Sequence, residues 1–163
     1  PKSKFYANQS LNEIRYMIAS GNINFSDDFE KMVNKIAQTF ETNFGIKTNV
    51  YTASKKIENL NKKAKTHLIR ILQESLSNIS RHSNASQVEI KIIDGIDDFS
   101  FIICDNGKGF DVKEVEQKNK TDSVKHFGLG NIKKRVNIIG GTVDFINKGG
   151  LTIAIKIKDS VYR

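Results

Sequence analysis

The sequence predicts an α/β two-layer sandwich, of the α+β kind, with helices packed on one face of a short-stranded sheet. Three observations carry that expectation. Two long segments each place apolar residues at helical spacing on a single face: Phe29, Met32, Val33, Ile36, Ala37 and Phe40, then Leu68, Ile71, Leu72, Ser75, Leu76 and Ile79. Between and after them lie short runs that alternate, or are apolar throughout, bounded by glycine and polar turns. The order is helix, helix, strand, helix, two strands, helix, two strands. Such an order argues against a doubly wound parallel sheet and for helices segregated to one layer.

Taken in order, Leu11, Ile14, Met17 and Ile18 recur at helical spacing until Gly21-Asn22 offers a stop. This reads as the tail of a helix begun earlier in a longer chain, an expectation that Pro1 in place of an initiator Met supports. Ser26-Asp27-Asp28 supplies an N-cap and acidic first-turn residues for the helix through Phe40, which ends near Gly45. Ile46 to Thr52 predicts a short strand, and the lysine-rich stretch from Ser54 to Lys65 a loop leading into the next helix. Val88-Glu89-Ile90-Lys91-Ile92 alternates with period two and Phe99 to Cys104 is apolar, so with a turn at Gly95 they predict an antiparallel pair. Residues Asp111 to Lys125 are polar and without periodicity, the composition of a mobile loop. Ile132, Val136 and Ile139 predict a helix from about Gly130, closed by Gly140-Gly141. Thr142 to Ile146 and Leu151 to Ile157 then form a hairpin through Asn147-Lys148-Gly149-Gly150.

At 163 residues, with 38% hydrophobic and 27% charged residues, the composition is that of one soluble globular domain with room for a core. No apolar run approaches the roughly 20 residues of a membrane span, and no signal-peptide pattern opens the chain. A single cysteine, Cys104, excludes an internal disulfide; in an apolar strand it is expected to be buried and inert, as fits a reducing cytoplasm. The net charge of +8 suits a polyanion, either nucleic acid or nucleotide phosphate, but the basic residues are spread along the chain.

The chemistry-bearing residues fall in three places. At about 100° per residue, Glu74, Asn78 and Arg81 form a polar stripe beside the apolar face of their helix, with His82 slightly further round. An Mg-nucleotide site needs a hard oxygen ligand, a cation for phosphate and an acid or base near the attacked phosphorus. Asn78, Arg81 and Glu74 are of those three types; a solvated helix face is the alternative. Asp105-Asn106-Gly107-Lys108-Gly109 follows an apolar strand, delivering a carboxylate into a turn whose glycines let backbone approach a ligand closely. The same residues also satisfy a hairpin-turn pattern, but not a calcium loop. Phe127-Gly128-Leu129-Gly130 opens a helix, where free amides favour anions. It does not fit the dinucleotide fingerprint, because Lys133 stands at the third glycine's place, and no GxxxxGK[ST] loop occurs in the chain.

As an ordered set, stripe, strand-end Asp-x-Gly-x-Gly, polar loop and Gly-x-Gly helix resemble the N box, G1 box, ATP lid and G2 box of sensor histidine kinases. The run Gln73-Glu74-Ser75-Leu76-Ser77-Asn78-Ile79-Ser80-Arg81-His82 is similar to the DesK/NarX-like branch of that family. So are Gly128-Leu129-Gly130-Asn131-Ile132 and Arg135 with Gly140-Gly141-Thr142. The resemblance spans about residues 8 to 158 and implies a Bergerat-type ATP-binding fold within the gyrase–chaperone–kinase ATPase superfamily. It divides the chain into the end of a dimerisation helix with its connector, 1–22, and a catalytic ATP-binding domain, 23–160. It implies ATP and Mg²⁺ as ligands, Glu74 as the base-like catalytic residue and Asn78 as the Mg²⁺ ligand. Arg81 and His82 would meet phosphate or ribose and Asp105 the adenine amino group. Gly107, Gly109, Phe127, Gly128, Leu129 and Gly130 would shape pocket and lid.

Two departures stand out. Leu151 follows Gly150 where the family's last strand usually opens with a Gly-Thr pair, so the resemblance does not carry a pocket role to Thr152. The longer kinases' phenylalanine-bearing motif before the lid is not evident, as is usual for this branch. No acceptor histidine is evident either, since His67, His82 and His126 precede Leu, Ser and Phe where the family has an acidic residue. Ser10-Leu11-Asn12-Glu13-Ile14-Arg15 resembles the end of the second dimerisation helix, which places the acceptor upstream. The implied partners are those upstream helices, in a homodimeric parent kinase, and a response regulator, with no nucleic acid and no membrane contact by this part of the chain. The implied location is cytoplasmic, with membrane anchoring of the parent left open. Two other functions remain open on the residues alone: an anti-sigma-type serine kinase of the same superfamily, and a basic nucleic-acid-binding module.

Overall fold

A computed structural model describes residues 28–109 and 127–159. Helix α1 (Phe29–Phe44) leads into β1 (Lys47–Ala53), and a 3₁₀ turn at Lys56–Asn59 precedes helix α2 (Lys62–Asn78). A π-helical turn, Ile79–Ser83, extends α2. Then follow β2 (Gln87–Asp94), β3 (Asp98–Asp105), α3 (Phe127–Ile138), β4 (Thr142–Asn147) and β5 (Leu151–Lys158). The sheet has the order β1-β2-β3-β5-β4. The β2–β3 and β4–β5 pairs are antiparallel as the sequence predicts, and β3 also pairs antiparallel with β5. β1 runs parallel to β2, which the 3₁₀ turn and α2 make possible by carrying the chain back across the sheet.

One face of the sheet is apolar. Val88, Ile90 and Ile92, Phe99, Phe101 and Ile103, and Leu151, Ile153, Ile155 and Ile157 all point inward. They share a single core with the apolar stripes of the three helices. Phe29 of α1 meets Phe101 of β3 edge-on at 6.1 Å, tying the first helix to the sheet centre. The opposite face carries Glu89 and Lys91, ion-paired at 2.8 Å, with Ser100, Cys104, Thr152 and Lys156, a composition that tolerates solvent.

Helix α1 starts where its cap requires: Asp28 accepts from the Lys31 amide at 3.2 Å, and Gly45, at φ 68°, closes the other end. The stretch Ser54 to Lys65 is not a plain loop. Ile57 and Leu60 are buried in the core, and the Asn61 side chain caps α2 by accepting from Ala64 N at 2.9 Å. The lysines of this stretch hide an anchor made of two apolar residues and one cap. α3 begins at Phe127, three residues before the predicted start, so Gly128 and Gly130 lie within its first turn. Cys104 is only partly buried, on the outer face beside the Thr152 hydroxyl at 3.1 Å. A continuously apolar strand conceals which parity faces the core; Phe101, Ile103 and Asp105 take the inside and leave the thiol outside. The N-terminal helix, the 1–22 boundary and the Asp111 to Lys125 loop lie outside the described residues.

Candidate functional site

Glu74 and Asn78 sit one turn apart on α2, both half-buried. Their side chains converge on the first turn of α3. A Cβ added to Gly128 would lie 2.6 Å from Asn78 Nδ2 and 2.8 Å from Glu74 Oε1. A side chain at this position would displace the ends of Glu74 and Asn78, so glycine leaves both free to face the α3 backbone. The structure thus brings Glu74 and Asn78 of α2 together with Gly128, far along the chain, at an α-helix N-terminus whose amides favour anions.

Asp105 is the second centre. It ends β3 on the inward face and is 2% exposed. Its Oδ1 accepts from Gly107 N at 2.8 Å, and its Oδ2 from Leu151 N at 3.3 Å. Burial pushes the carboxyl above its ordinary range, and the Gly107 and Leu151 amides offset this only in part. Asp105 does not open a β-hairpin: its strand is flanked by β2 and β5. The turn is instead pressed against the end of the α2 body. A Cβ on Gly107 would collide with the Ser83 carbonyl, and Lys108 N donates to that carbonyl at 2.8 Å. Gly150, at φ 124°, lies against the Asp105 carbonyl so closely that a side chain there would overlap it. Gly109, at φ 63°, abuts the Asn147 side chain.

The remaining predicted residues divide. Leu129 is buried at the head of α3, whereas Gly130 has no neighbour within 4 Å of where a Cβ would stand. Phe127 is the first residue of α3. Arg81 and His82 lie on the π-helical turn and are exposed. A π turn closes i to i+5 and rotates less per residue, so the two do not continue the straight stripe that α-helical spacing predicts. Arg81 folds back to donate to the Ser77 hydroxyl. Thr152 points to the outer face, and Leu151 takes the inward place beside Asp105.

Sequence reasoning passed over Ser83, Asn106, Asn147 and Gly150 as site residues. For Asn106 and Gly150 a signal existed: each is part of a turn motif, and the turn reading concealed the contact. Ser83 acts through its backbone carbonyl, which no residue type announces.

Comparisons with known proteins give the family and the shared fold. Residues 63–161, more than half of the chain, match the family described as histidine kinase-, DNA gyrase B- and HSP90-like ATPase. The chain belongs to that family. It is 34% identical over 152 residues to the signal transduction histidine-protein kinase/phosphatase DegS of Brevibacillus brevis, covering 91% of this chain and 37% of the relative. With DegS of Bacillus subtilis the identity is 40% over 91 residues, 56% of this chain and 23% of that protein. The chain thus spans well under half the length of these curated relatives. Among solved structures it resembles the histidine kinase domain of the Erythrobacter litoralis EL346 blue-light activated kinase. The TM-score is 0.61 at 15% identity, over 94% of this chain and 74% of the other. The Acinetobacter baumannii histidine kinase AdeS gives 0.60 at 15% identity, over 91% and 76%. At such identities the likeness establishes the shared fold. Among the described residues, no helix is long and apolar enough to cross a membrane.

Proposed function

We propose that this chain is the catalytic ATP-binding part of a bacterial sensor histidine kinase, donating the γ-phosphate of ATP to a histidine on an upstream helical hairpin. The observation that carries the reading is the convergence of Glu74 and Asn78 on Gly128, with the buried Asp105 carboxylate held against the end of the same helical body. The adenine amino group is the donor suited to Asp105, a buried acceptor whose own bonds are two backbone amides. The first turn of α3, with Gly128 and Gly130, offers amides to the phosphates, and Arg81 and His82 lie at the exposed end of α2, able to swing to them. Glu74 carries the proton-accepting role, because a carboxylate can polarise or deprotonate an incoming imidazole and an amide cannot.

The donor set fits Mg²⁺. Asn78 offers a neutral oxygen and Glu74 lies beside it. Magnesium takes much of its coordination from phosphate and water, so one or two protein oxygens suffice to hold it. Asn78 would hold the ion, which when bound neutralises charge on the phosphate oxygens. A cytoplasmic location, a homodimeric parent and a response regulator as phosphate recipient follow from the same reading. The DesK/NarX-like pattern of residues 73–82 supports that branch.

The test compares affinity with transfer. Asn78→Ala should lose Mg-dependent nucleotide binding and phosphorylation together. Glu74→Gln should leave binding of a non-hydrolysable ATP analogue within a few fold by calorimetry. It should slow single-turnover transfer to a polypeptide bearing the upstream hairpin by about 10²-fold or more, the usual scale of acid–base assistance. Equal loss of affinity and rate in Glu74→Gln would make Glu74 a binding residue. Acid-labile phosphate on His67, His82 or His126 in the absence of the hairpin would overturn the upstream acceptor.

A further inference from the structure

The side chain of Asn106 is exposed, yet it makes three hydrogen bonds. Its Oδ1 accepts from the Ser86 amide at 3.0 Å and from the Gln87 amide at 2.9 Å, while its Nδ2 donates to the Ser86 hydroxyl at 2.9 Å. Its own backbone N–H donates to the Gln87 carbonyl at 3.2 Å. A primary amide has one acceptor oxygen and two N–H donors, so both lone pairs and one donor are committed to a single two-residue stretch. That stretch joins the end of the α2 body to β2, and Ser86 O in turn accepts from Lys47 N at the start of β1. Asn106 is thus a cross-link of about twenty residues' separation, fastening the Asp105 turn to the strand start on its far side.

Its place in the chain gives the cross-link a consequence. Asp105 Oδ1 is oriented by Gly107 N, and Gly107 is held between Asn106 on one side and Lys108, bonded to Ser83 O, on the other. The Oδ2 bond to Leu151 N, at 3.3 Å, is the weaker of the two. The carboxylate's direction therefore depends chiefly on where the 106–108 backbone sits. Asparagine can do this without placing a second negative charge beside a carboxyl that burial already makes hard to ionise.

We propose that Asn106 is a positioning residue for base selection: its side-chain amide fixes the 105–108 turn on Ser86 and Gln87, so that the Asp105 carboxylate meets a purine 6-amino group. The proposal rests on the adenine reading of Asp105 given above. It assigns Asn106 no contact with the nucleotide.

The experiment measures Kd for MgADP and for the Mg complex of purine riboside diphosphate, which lacks the 6-amino group. The proteins are the unaltered chain, Asn106→Ala, Asn106→Asp and Asp105→Asn, each first shown to melt cooperatively. ADP should bind the unaltered chain about tenfold or more tighter than the deamino ligand, roughly one good hydrogen bond's worth. Asn106→Ala should weaken ADP by about that factor and the deamino ligand by less than about threefold, erasing selectivity. Asn106→Asp keeps both accepted bonds and should restore part of the selectivity lost in Asn106→Ala, the second negative charge beside Asp105 holding it below that of the unaltered chain. Should Asn106→Ala fail to fold, Ser86→Ala, which removes only the hydroxyl partner, should give a partial loss of selectivity, and no loss there would count against the proposal. Equal weakening of both ligands, or none of either, overturns the positioning role. If the unaltered chain does not distinguish the two ligands, or Asp105→Asn leaves selectivity intact, the adenine reading itself fails and the Asn106 proposal with it. Selectivity lost in Asp105→Asn but kept in Asn106→Ala refutes the Asn106 role alone.

Discussion

The two ends of the β2–β3 hairpin each carry a carboxylate, and the sheet treats them in opposite ways. At the turn end, Asp94 is surrounded by donors. It accepts from the Ser54 hydroxyl, from Lys55 N at 2.8 Å and from Lys56 N at 3.4 Å. Lys56 adds its ammonium, which also binds the carbonyls of Gly95 and Ile96 at 2.9 and 2.8 Å and pairs with Asp159 at 2.9 Å. Burial alone would raise the Asp94 carboxyl. The hydroxyl, the two amides and the Lys56 charge together outweigh it, and the net shift is downward. At the other end Asp105 is more deeply buried, has two backbone amides and no cation among its hydrogen-bond partners, and shifts upward. Asp94 is a fastening, satisfied within the chain; Asp105 retains acceptor capacity that its own fold leaves to an external donor. A structural carboxylate and a binding carboxylate on one hairpin differ in the supply of donors, and the residue type does not distinguish them.

If that contrast is right, the largest effect on folding belongs to Asp94. Asp94→Ala leaves the Ser54 hydroxyl and the Lys55 and Lys56 amides without their acceptor and removes the charge that faces the Lys56 ammonium, and should cost on the order of 2–3 kcal/mol in urea unfolding. Nucleotide affinity should stay within twofold; a loss of binding in proportion to stability would erase the division of labour.

Asp105→Asn should do the reverse. Folding stability should change by less than about 1 kcal/mol, since the amide oxygen can still accept from Gly107, while ATP affinity should fall by about 1–3 kcal/mol through a spoiled buried polar contact. Unchanged affinity by calorimetry would remove Asp105 from the pocket.

The smallest and sharpest test is the sign of the pH dependence. The contribution of Asp94, whose folded value is depressed, is present above the ordinary carboxyl value of 3.8 and is lost as pH falls through the depressed value. The contribution of Asp105, whose folded value is raised, is fully present below 3.8 and is lost as pH rises through the raised value. Urea midpoints measured across the acid range should therefore show Asp94→Asn flattening the acid-side fall, and Asp105→Asn removing a decline on the rising side. Changes of the same sign in both variants would contradict the assignment of the two environments.

Much of this molecule is local in origin. The stripes of α1 and α2, the alternation of β2 and the glycines that open α3 and close the β4–β5 turn are readable because helix and strand periods are properties of neighbouring residues. The carboxylate at the end of β3 and the Glu74, Asn78 pair one turn apart are readable for the same reason. Where a local rule met a continuous run or a polar disguise, it misled. Phe99 to Cys104 has no alternation to show that Cys104 faces outward, the lysines around Ile57 and Leu60 concealed a buried anchor, and the π-helical turn displaced Arg81 and His82 from the spacing of an ideal helix.

By itself, then, the sequence determined the elements, their order and the chemical types available at their ends. Tertiary structure alone decided which ends meet. Gly128 against Glu74 and Asn78, Leu151 N on Asp105 Oδ2 across 46 residues, and the Asn106 amide on Ser86 and Gln87 depend on sheet order and helix docking, which no local period encodes. The same holds for the Asp105 carboxyl: a residue's charge is written in the chain, but its ease of ionisation is set by the water that packing removes and the donors that packing supplies.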